Sequence, residues 1–207
     1  TYVEAFTCGS AASIRDLAYD GTYFYGGAAS TTVYEMDFDA QQVVSTISAP
    51  VDVRAIAYDP AEDGFYANNW GTDITLFDRT GGVLNSFGVG TFESYYGFAY
   101  DNNDGDIYLY GFSQSAGGGD IVEMELPSGL ETGFSYDVVA DIGVAGDLAG
   151  GLFTIDNAIV SGTTSIGGLI QNATLFAYEL HAAEGPVMWL SVEDPMGSLG
   201  PGETKEH

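Results

Sequence analysis

Apolar and polar side chains alternate along much of this chain, in short runs separated by turn residues. The run 33–38 reads VYEMDF, and the run 175–180 reads LFAYEL. A period of two residues is typical of a β-strand that buries one face. Because no segment sustains the 3.6-residue period of an amphipathic helix, the sequence predicts an all-β protein with almost no helix.

Four segments repeat one pattern, in which a short apolar run ends in an anchor aspartate and leads into a tight turn. The segments are 15–25, 54–66, 96–108 and 151–160, and the anchors are Asp20, Asp59, Asp101 and Asp156. Successive anchors are 39, 42 and 55 residues apart. Propeller blades repeat every ~40–50 residues, so this spacing predicts one blade per repeat.

Each repeat supplies enough strand-like runs for one blade. Three repeats contain four such runs and the last contains three. Since a meander of four antiparallel strands is the unit of a β-propeller, the sequence predicts a β-propeller of four-stranded antiparallel blades, with four blades in residues 1–183. Small residues place the first strand of each blade innermost, where strands converge: Ala18, Ala57, Ala99 and Gly151.

Closure of the ring decides the number of blades. Residues Tyr2–Thr7 read YVEAFT, a strand-like run with no repeat in front of it. Pairing this run with Leu175–Leu180 would give the last blade a fourth strand and close a four-bladed ring across the termini. The alternative is a ring of five or more blades that includes upstream sequence, with Val187–Val192 as an outer strand.

The last residues, 184–207, are interpreted as a linker and the start of a following β module. Their stretch WLSVEDPMGSLGPGET at 189–204 resembles the beginning of an immunoglobulin-like module. The run IRDLAYDGTYFYGGAASTTVYEMDF at 14–38 resembles propeller-like repeats of large secreted Bacteroidota proteins, which often accompany type IX secretion signals. This resemblance implies an extracellular or cell-surface domain within a longer polypeptide, and it supplies no catalytic residues.

The charge of the chain is strongly one-sided. Thirty acidic residues face four cationic ones, and the formal net charge is −26. The cations are Arg15, Arg54, Arg79 and Lys205. Such a chain repels phosphate backbones and anionic headgroups, and it has no apolar run of the ~20 residues that a spanning helix needs. We therefore expect no nucleic-acid partner and no direct membrane insertion, which leaves cations, neutral glycans and basic proteins as possible partners.

The residues that common catalytic sites require are scarce. Cys8 is the only cysteine, and His181 and His207 are the only histidines. No G-x-S-x-G, phosphate-binding Gly-rich loop or H-E-x-x-H motif occurs. This favours a protein that is not an enzyme and has no resident cofactor. A carbohydrate-active enzyme with paired carboxylates stays open, because acids are plentiful.

One oxygen-rich loop is a candidate Ca²⁺ site. Residues 101–106 read DNNDGD, and the candidate ligands are Asp101, Asn103, Asp104 and Asp106. The loop lacks D-x-D-x-D-G spacing, and Phe112 stands where an EF-type loop has its Glu. An Asx-type hairpin turn explains the same residues without a metal.

Topology predicts a candidate ligand site at one mouth of the central channel. Arg15, Arg54 and Tyr96 each lie five residues before an anchor aspartate, so successive blades should place them around this mouth. The loops between second and third strands should add further side chains: Asn68, Asn69, Trp70, Gln114 and Ser115. Arginine, amide and aromatic groups suit a sugar ring or a peptide. The alternative is that each arginine only pairs with a nearby acid, such as Asp16 or Asp52.

These observations favour a non-catalytic extracellular or cell-surface module for binding, adhesion or display, whose ligand is a glycan or a peptide at the channel face. Two alternatives stay open at this point. One is the carbohydrate-active enzyme with paired carboxylates, and the other is a structural spacer or surface component that binds Ca²⁺.

Overall fold

The computed structural model describes residues 6–102, 105–115, 118–144, 148–157, 163–171 and 174–181. In these ranges the chain forms four antiparallel sheets, each made of strands that are consecutive in sequence. Blade 1 contains β1 (Ala18–Tyr19), β2 (Phe24–Gly27), β3 (Ser30–Asp37) and β4 (Gln42–Val53). Blade 2 contains β5 (Ala55–Asp59), β6 (Gly64–Asn68), β7 (Ile74–Asp78) and β8 (Val83–Phe87). Blade 3 contains β9 (Tyr95–Asp101), β10 (Tyr108–Ser113), β11 (Asp120–Glu125) and β12 (Leu130–Asp137). Blade 4 contains β13 (Ala149–Asp156), β14 (Thr164–Ile170) and β15 (Thr174–His181).

The sheets stand around a common axis as a four-bladed β-propeller, which confirms the predicted fold class. The innermost strands contact one another in chain order, β1 with β5, β5 with β9, and β9 with β13. A buried apolar cluster fills the space between blades 1 and 2, another between blades 2 and 3, and a third between blades 3 and 4. Neighbouring blades therefore hide apolar faces that no single small sheet could bury alone.

The anchor aspartates begin the hairpins that join first and second strands. Asp20 Oδ1 accepts hydrogen bonds from the backbone N–H groups of Thr22 and Tyr23, both at 2.8 Å, and Asp59 Oδ1 accepts one from Ala61 at 2.9 Å. Each of the four hairpins also contains a residue with positive φ: Gly21, Asp63, Gly105 and Asn157. The repeated turn in the sequence is thus a repeated Asx-type turn at Asp20 and Asp59.

Small residues allow the innermost strands to approach closely. Ala18, Ala57 and Ala99 are all buried. A Cβ atom placed on Gly97 of β9 would lie 2.5 Å from the backbone nitrogen of Leu152 in β13. That distance is shorter than any real Cβ contact, so the contact between blades 3 and 4 at the axis requires glycine here.

Two elements differ from the predicted runs. β12 begins at Leu130 and ends at Asp137, whereas the sequence pattern predicts a strand over 133–139. Asp137 caps a one-turn helix, α1 (Val138–Asp141), by accepting a hydrogen bond from Ala140 N at 2.9 Å. The chain turns here because Val138 and Val139 are buried against blades 3 and 4, which a continuing strand would not allow.

The predicted closing strand Tyr2–Thr7 lies mostly outside the described residues. Phe6 and Thr7 are described and belong to no strand. Residues 182–207, which include Val187–Val192 and His207, also lie outside the described part, so the assignment of 184–207 to a following module stays a prediction.

The outer faces of the first and last blades are apolar and exposed over the described residues. On blade 4, four side chains on the face away from blade 3 are 40–75% exposed: Phe153, Ile155, Leu169 and Leu175. On blade 1, Tyr19, Phe24 and Phe38 stack in series, with ring centroids 4.6 and 4.1 Å apart. An apolar pocket of about 340 Å³ lies beside Phe38, between Leu17 and Met36. The described residues thus form no buried cluster between blades 4 and 1 like those at the other interfaces.

Arg79 links blade 2 to blade 1 at the hairpin end of the ring, the end that carries the hairpins between first and second strands. Its guanidinium donates to Asp20 Oδ2 at 2.9 Å, to Asp63 Oδ1 at 2.7 Å and to the Tyr25 hydroxyl at 2.5 Å. The same group lies 5.5 Å from the ring centroid of Tyr58. Burial alone would raise the pKa of Asp20, but hydrogen bonds from backbone N–H groups and from Arg79 outweigh it and lower the pKa. Arg79 is therefore charged and multiply bonded, in a geometry that only a guanidinium provides.

Replacing Arg79 should loosen the contact between blades 1 and 2. We expect Arg79→Met to lower the free energy of unfolding by about 2 kcal/mol, because it leaves Asp20 without its cationic partner. Arg79→Lys, which keeps the charge and loses the fork of donors, should fall between the wild type and Arg79→Met. Chemical denaturation measures all three proteins, and equal stabilities would refute a role for this contact.

Candidate functional site

The predicted ligand residues lie at the end of the ring opposite Arg79. Arg15 precedes β1, Arg54 lies between β4 and β5, and Tyr96 is the second residue of β9. Each side chain thus stands at the start of the innermost strand of its blade. The common offset of five residues from the anchor aspartates therefore reflects a common position at the start of the innermost strand.

Five of the predicted ligand side chains contact one another directly. Arg15 Nη1 donates to the Tyr96 hydroxyl at 3.1 Å, and Arg54 Nε donates to Asn69 Oδ1 at 3.0 Å. The Arg54 guanidinium lies over two rings, 4.2 Å from the centroid of Trp70 and 5.3 Å from that of Tyr96. Blades 1, 2 and 3 thus contribute to one cluster, which we call the mouth cluster: Arg15, Arg54, Asn69, Trp70 and Tyr96.

Asn68 supports the mouth cluster from below. It is fully buried at the end of β6, and its Nδ2 donates to the carbonyl oxygens of Trp70 at 2.8 Å and Thr72 at 3.1 Å. Trp70 has a φ of +59°, an uncommon conformation for a residue other than glycine. The Asn68 amide holds this backbone in place, so its role in the structure is to position the Trp70 ring.

Gln114 and Ser115 lie in the corresponding loop of blade 3, as predicted from the topology, but their polar groups bond the scaffold. Gln114 Nε2 donates to the carbonyl oxygen of Ala149 at 2.7 Å and thereby links blade 3 to blade 4. The Ser115 hydroxyl accepts a hydrogen bond from Glu93 N at 3.1 Å. The structure thus gives Gln114 a contact between blades rather than a place in the mouth cluster.

Among the side chains that the structure describes, no acid forms an ion pair with the arginines of the mouth cluster. In the described ranges, the ion pairs with a nitrogen–oxygen distance within 4.0 Å both involve Arg79. The alternative in which Arg15 and Arg54 pair with Asp16 or Asp52 is therefore not what the structure shows. Burial lowers the pKa of Arg54, the Tyr96 hydroxyl counteracts this, and the positive charge of Arg15 lowers it further.

A buried carboxyl group at the axis lies directly beneath the mouth cluster. Asp16 is 4% exposed, and its oxygens accept backbone hydrogen bonds from three other blades. The donors are Ile56 N in β5 at 2.9 Å, Phe98 N in β9 at 2.8 Å and Leu152 N in β13 at 3.1 Å. One side chain of blade 1 therefore fixes the innermost strands of blades 2, 3 and 4.

Burial raises the pKa of Asp16 to about 8, although the N–H groups of Ile56, Phe98, Leu152 and Leu17 act in the opposite direction. Desolvation penalises the charged form of the carboxyl group, and at this depth it outweighs the hydrogen bonds. Asp16 is then largely uncharged at neutral pH, so it does little to neutralise the arginines above it.

Asp16 was predicted only as a possible partner for arginine, whereas in the structure it bonds the other blades. A signal was present in the repeats. Aligned on the anchors, the position after Arg15 holds Asp16 in blade 1 and Ala55, Gly97 and Leu152 in the others. A polar residue at a position that is otherwise small or apolar in an innermost strand points to a buried hydrogen-bonding role.

The Ca²⁺ site stays a prediction. Asn103 and Asp104 lie outside the described residues, Asp101 is buried, and Asp106 accepts a hydrogen bond from the Tyr108 hydroxyl at 3.4 Å. Among the described side chains, no group of three or more His, Cys, Asp or Glu is placed to hold a metal ion. In the same part of the chain, no helix is long and apolar enough to cross a membrane.

Comparisons with known proteins identify the fold. No family model matches the chain, and no curated protein matches it. Among solved structures, the glutaminyl cyclase of Myxococcus xanthus aligns with 80% of this chain and 71% of its own, with a TM-score of 0.62 and 16% sequence identity. The computationally designed Ika4 protein aligns with 87% of this chain and all of its own, with a TM-score of 0.45 and 14% identity. At such low identity the likeness to the cyclase shows a shared fold and nothing about activity.

Removing the Asp16 carboxyl group should destabilise the whole ring. Asp16→Ala leaves three buried N–H groups without an acceptor, so we expect the free energy of unfolding to fall by at least ~3 kcal/mol. Asp16→Asn keeps one acceptor oxygen and should lose less. Urea denaturation compares these variants with Asp52→Ala, which removes an exposed acid and should change stability by less than ~0.5 kcal/mol. Equal effects of Asp16→Ala and Asp52→Ala would contradict this role.

The raised pKa of Asp16 makes a distinct contribution to the pH dependence of stability. The folded protein keeps the proton up to about pH 8, whereas the unfolded chain releases it near the ordinary value of 3.8. Because the native state binds more protons in this window, the contribution is fully present below about pH 4 and is lost as the pH rises to 8, at up to ~1.4 kcal/mol per pH unit.

The comparison of wild type with Asp16→Asn isolates this contribution, because asparagine does not titrate. We expect the stability advantage of the wild type to shrink steadily in urea denaturation from pH 5 to pH 8. A difference that stays constant over this range would mean that Asp16 is already ionised in the folded protein.

Proposed function

We propose that this protein is a non-catalytic binding module that acts outside the cell and takes a glycan or a peptide at the mouth cluster. The observation that carries the proposal is the convergence of Arg15, Arg54, Asn69, Trp70 and Tyr96 from three blades, with neither arginine in an ion pair with any acid that the structure describes. Cationic groups on a rigid scaffold that have hydrogen-bond partners but no counter-charge are suited to a ligand.

The chemistry of the cluster matches both ligand classes. The Trp70 and Tyr96 rings meet edge to face, with their centroids 5.9 Å apart. The buried Tyr96 ring supports the half-buried Trp70 ring, which offers an apolar surface beside the Arg54 guanidinium. Sugar rings and peptide groups combine apolar faces with hydrogen-bonding edges, which such a surface contacts well. The Asn68 amide holds the Trp70 loop in position, so little ordering is needed when the ligand binds.

The extracellular location rests on the sequence. The run 14–38 resembles repeats of secreted Bacteroidota proteins, and residues 189–204 resemble the start of an immunoglobulin-like module. We propose on this basis that the propeller belongs to a longer secreted or surface polypeptide, in which Asp101, Asn103, Asp104 and Asp106 stay candidates for Ca²⁺.

An enzymatic role has one observation in its favour, the fold shared with a glutaminyl cyclase. The carboxyl group nearest the axis does not support it. Asp16 is 4% exposed, and both of its oxygens are bonded to backbone N–H groups, so it cannot reach a substrate at the mouth. Glutaminyl cyclase and glycoside hydrolase assays test this alternative, and turnover of either substrate class would overturn the non-catalytic assignment.

Glycan and peptide arrays probed with the purified protein test the proposal. We expect a defined set of bound ligands, and we expect Trp70→Ala to weaken their binding at least tenfold, because the ring is the main apolar contact in the cluster.

The matched control is Phe134→Ala, which removes an exposed aromatic side chain on the outer strand of blade 3. It should leave array binding unchanged. Binding that survives Trp70→Ala, or no binding on either array, would refute the mouth cluster as a ligand site.

A further inference from the structure

The charge balance at the mouth cluster is unusual for this protein. Two of its four cations stand together, although their mutual repulsion disfavours this and 30 acids are present in the chain. Like charges gathered without counter-charges are destabilising. Such an arrangement is expected where an anion from outside supplies the missing charge.

The acids around the mouth do not supply the missing negative charge. Asp16 lies beneath Arg15 with its oxygens bonded to backbone N–H groups. Glu93 stands on the rim, where one of its carboxylate oxygens would lie 3.2 Å from a Cβ placed on Gly71. Neither forms an ion pair within 4.0 Å with Arg15 or Arg54, two side chains that the structure describes in full.

Both guanidinium groups keep donors for a ligand. A guanidinium carries five N–H donors in a planar fork, which fits a carboxylate with two parallel hydrogen bonds. The contacts of the mouth cluster engage Arg15 through Nη1 and Arg54 through Nε. Both groups contact Tyr96, Arg15 through the hydroxyl at 3.1 Å and Arg54 over the ring at 5.3 Å from its centroid, which brings them near each other and suits them to one small anion.

We propose that the mouth cluster captures the carboxylate of a peptide C-terminus between Arg15 and Arg54, with the last side chain of the peptide against Trp70. This inference rests on the proposed function, because it names the ligand of the same site. It adds that binding depends on one negative charge.

The net charge of −26 decides between a peptide and an acidic polysaccharide. A polysaccharide with a carboxylate on every sugar would carry many charges across a repelling surface. A peptide offers a single terminal carboxylate, while neutral or basic side chains upstream avoid or exploit the acidic surface. A phosphate group, which carries nearly two charges, would be repelled more strongly than a carboxylate.

Peptide arrays in two forms test the inference with the intact 207-residue chain. One form displays each sequence with a free C-terminal carboxylate, and the other displays the same sequence as a C-terminal amide. We expect binding of free acids, with at least a tenfold loss in the amide form. Rising salt should weaken binding of the acids, because the attraction is electrostatic and partly exposed.

Charge-removing variants identify the partners of the carboxylate. Arg15→Gln and Arg54→Gln should each weaken binding of the free acids at least tenfold and change binding of the amides less than threefold. Lys205→Gln removes the same charge elsewhere in the chain and should change neither. Circular dichroism melting confirms that each variant is folded.

The outcomes separate this inference from the proposed function. Binding that needs Trp70 but treats acid and amide forms equally would overturn the inference and leave the binding module intact. Trp70-dependent binding of oligogalacturonate or of neutral oligosaccharides, with no peptide bound, would overturn the peptide assignment. Absence of any Trp70-dependent ligand would overturn both.

Discussion

The hydrogen bonds of one buried carboxyl group hold the centre of this propeller together. Asp16 accepts backbone N–H groups that are 40, 82 and 136 residues away along the chain. Innermost strands near the axis have no neighbouring strand on one side, and their exposed donors would be costly if left unpaired. A side chain from blade 1 supplies the acceptors for all three other blades. It also joins the first blade to the last, at the interface where the described residues form no apolar cluster like those elsewhere in the ring.

The candidate site depends on the same contact. Arg15 directly precedes Asp16, and Arg54 and Tyr96 stand two residues before the N–H groups of Ile56 and Phe98. Fixing these three backbone positions on one carboxyl group therefore fixes the spacing of the three side chains above it. Since burial keeps Asp16 largely uncharged at neutral pH, it performs this role without cancelling the positive charge at the mouth. The structural and electrostatic requirements of the site are met by one residue.

The sequence predicts the parts of the fold that repeat and fails on those that occur once. Four anchor aspartates, alternating strands and small innermost residues define the blades. Each blade needs the same turn, the same buried strand face and the same close approach at the axis, so the same residue types recur. The shared offset of Arg15, Arg54 and Tyr96 likewise places them around one mouth. Asp16 and Arg79 each occur in one blade only, and their partners lie far away in sequence. Comparison of the repeats marks Asp16 as an exceptional polar residue, but no local pattern reveals which groups either residue bonds. Gln114 has the residue type and loop position of a ligand contact, yet the closeness of Ala149 in blade 4 gives its amide a different partner.

The three arginines of this chain lie at the two ends of the propeller ring, and their partners differ between the two ends. At the hairpin end, Arg79 meets two carboxylates and a hydroxyl, and the pairing joins two blades. At the mouth, Arg15 and Arg54 meet a hydroxyl, an amide oxygen and aromatic rings, which accept hydrogen bonds or attract a cation without neutralising it. A purely structural role would favour the first arrangement at both ends, because acids outnumber cations 30 to 4 and a counter-charge is readily available. The unneutralised pair therefore argues for a ligand at the mouth more strongly than the residue types do.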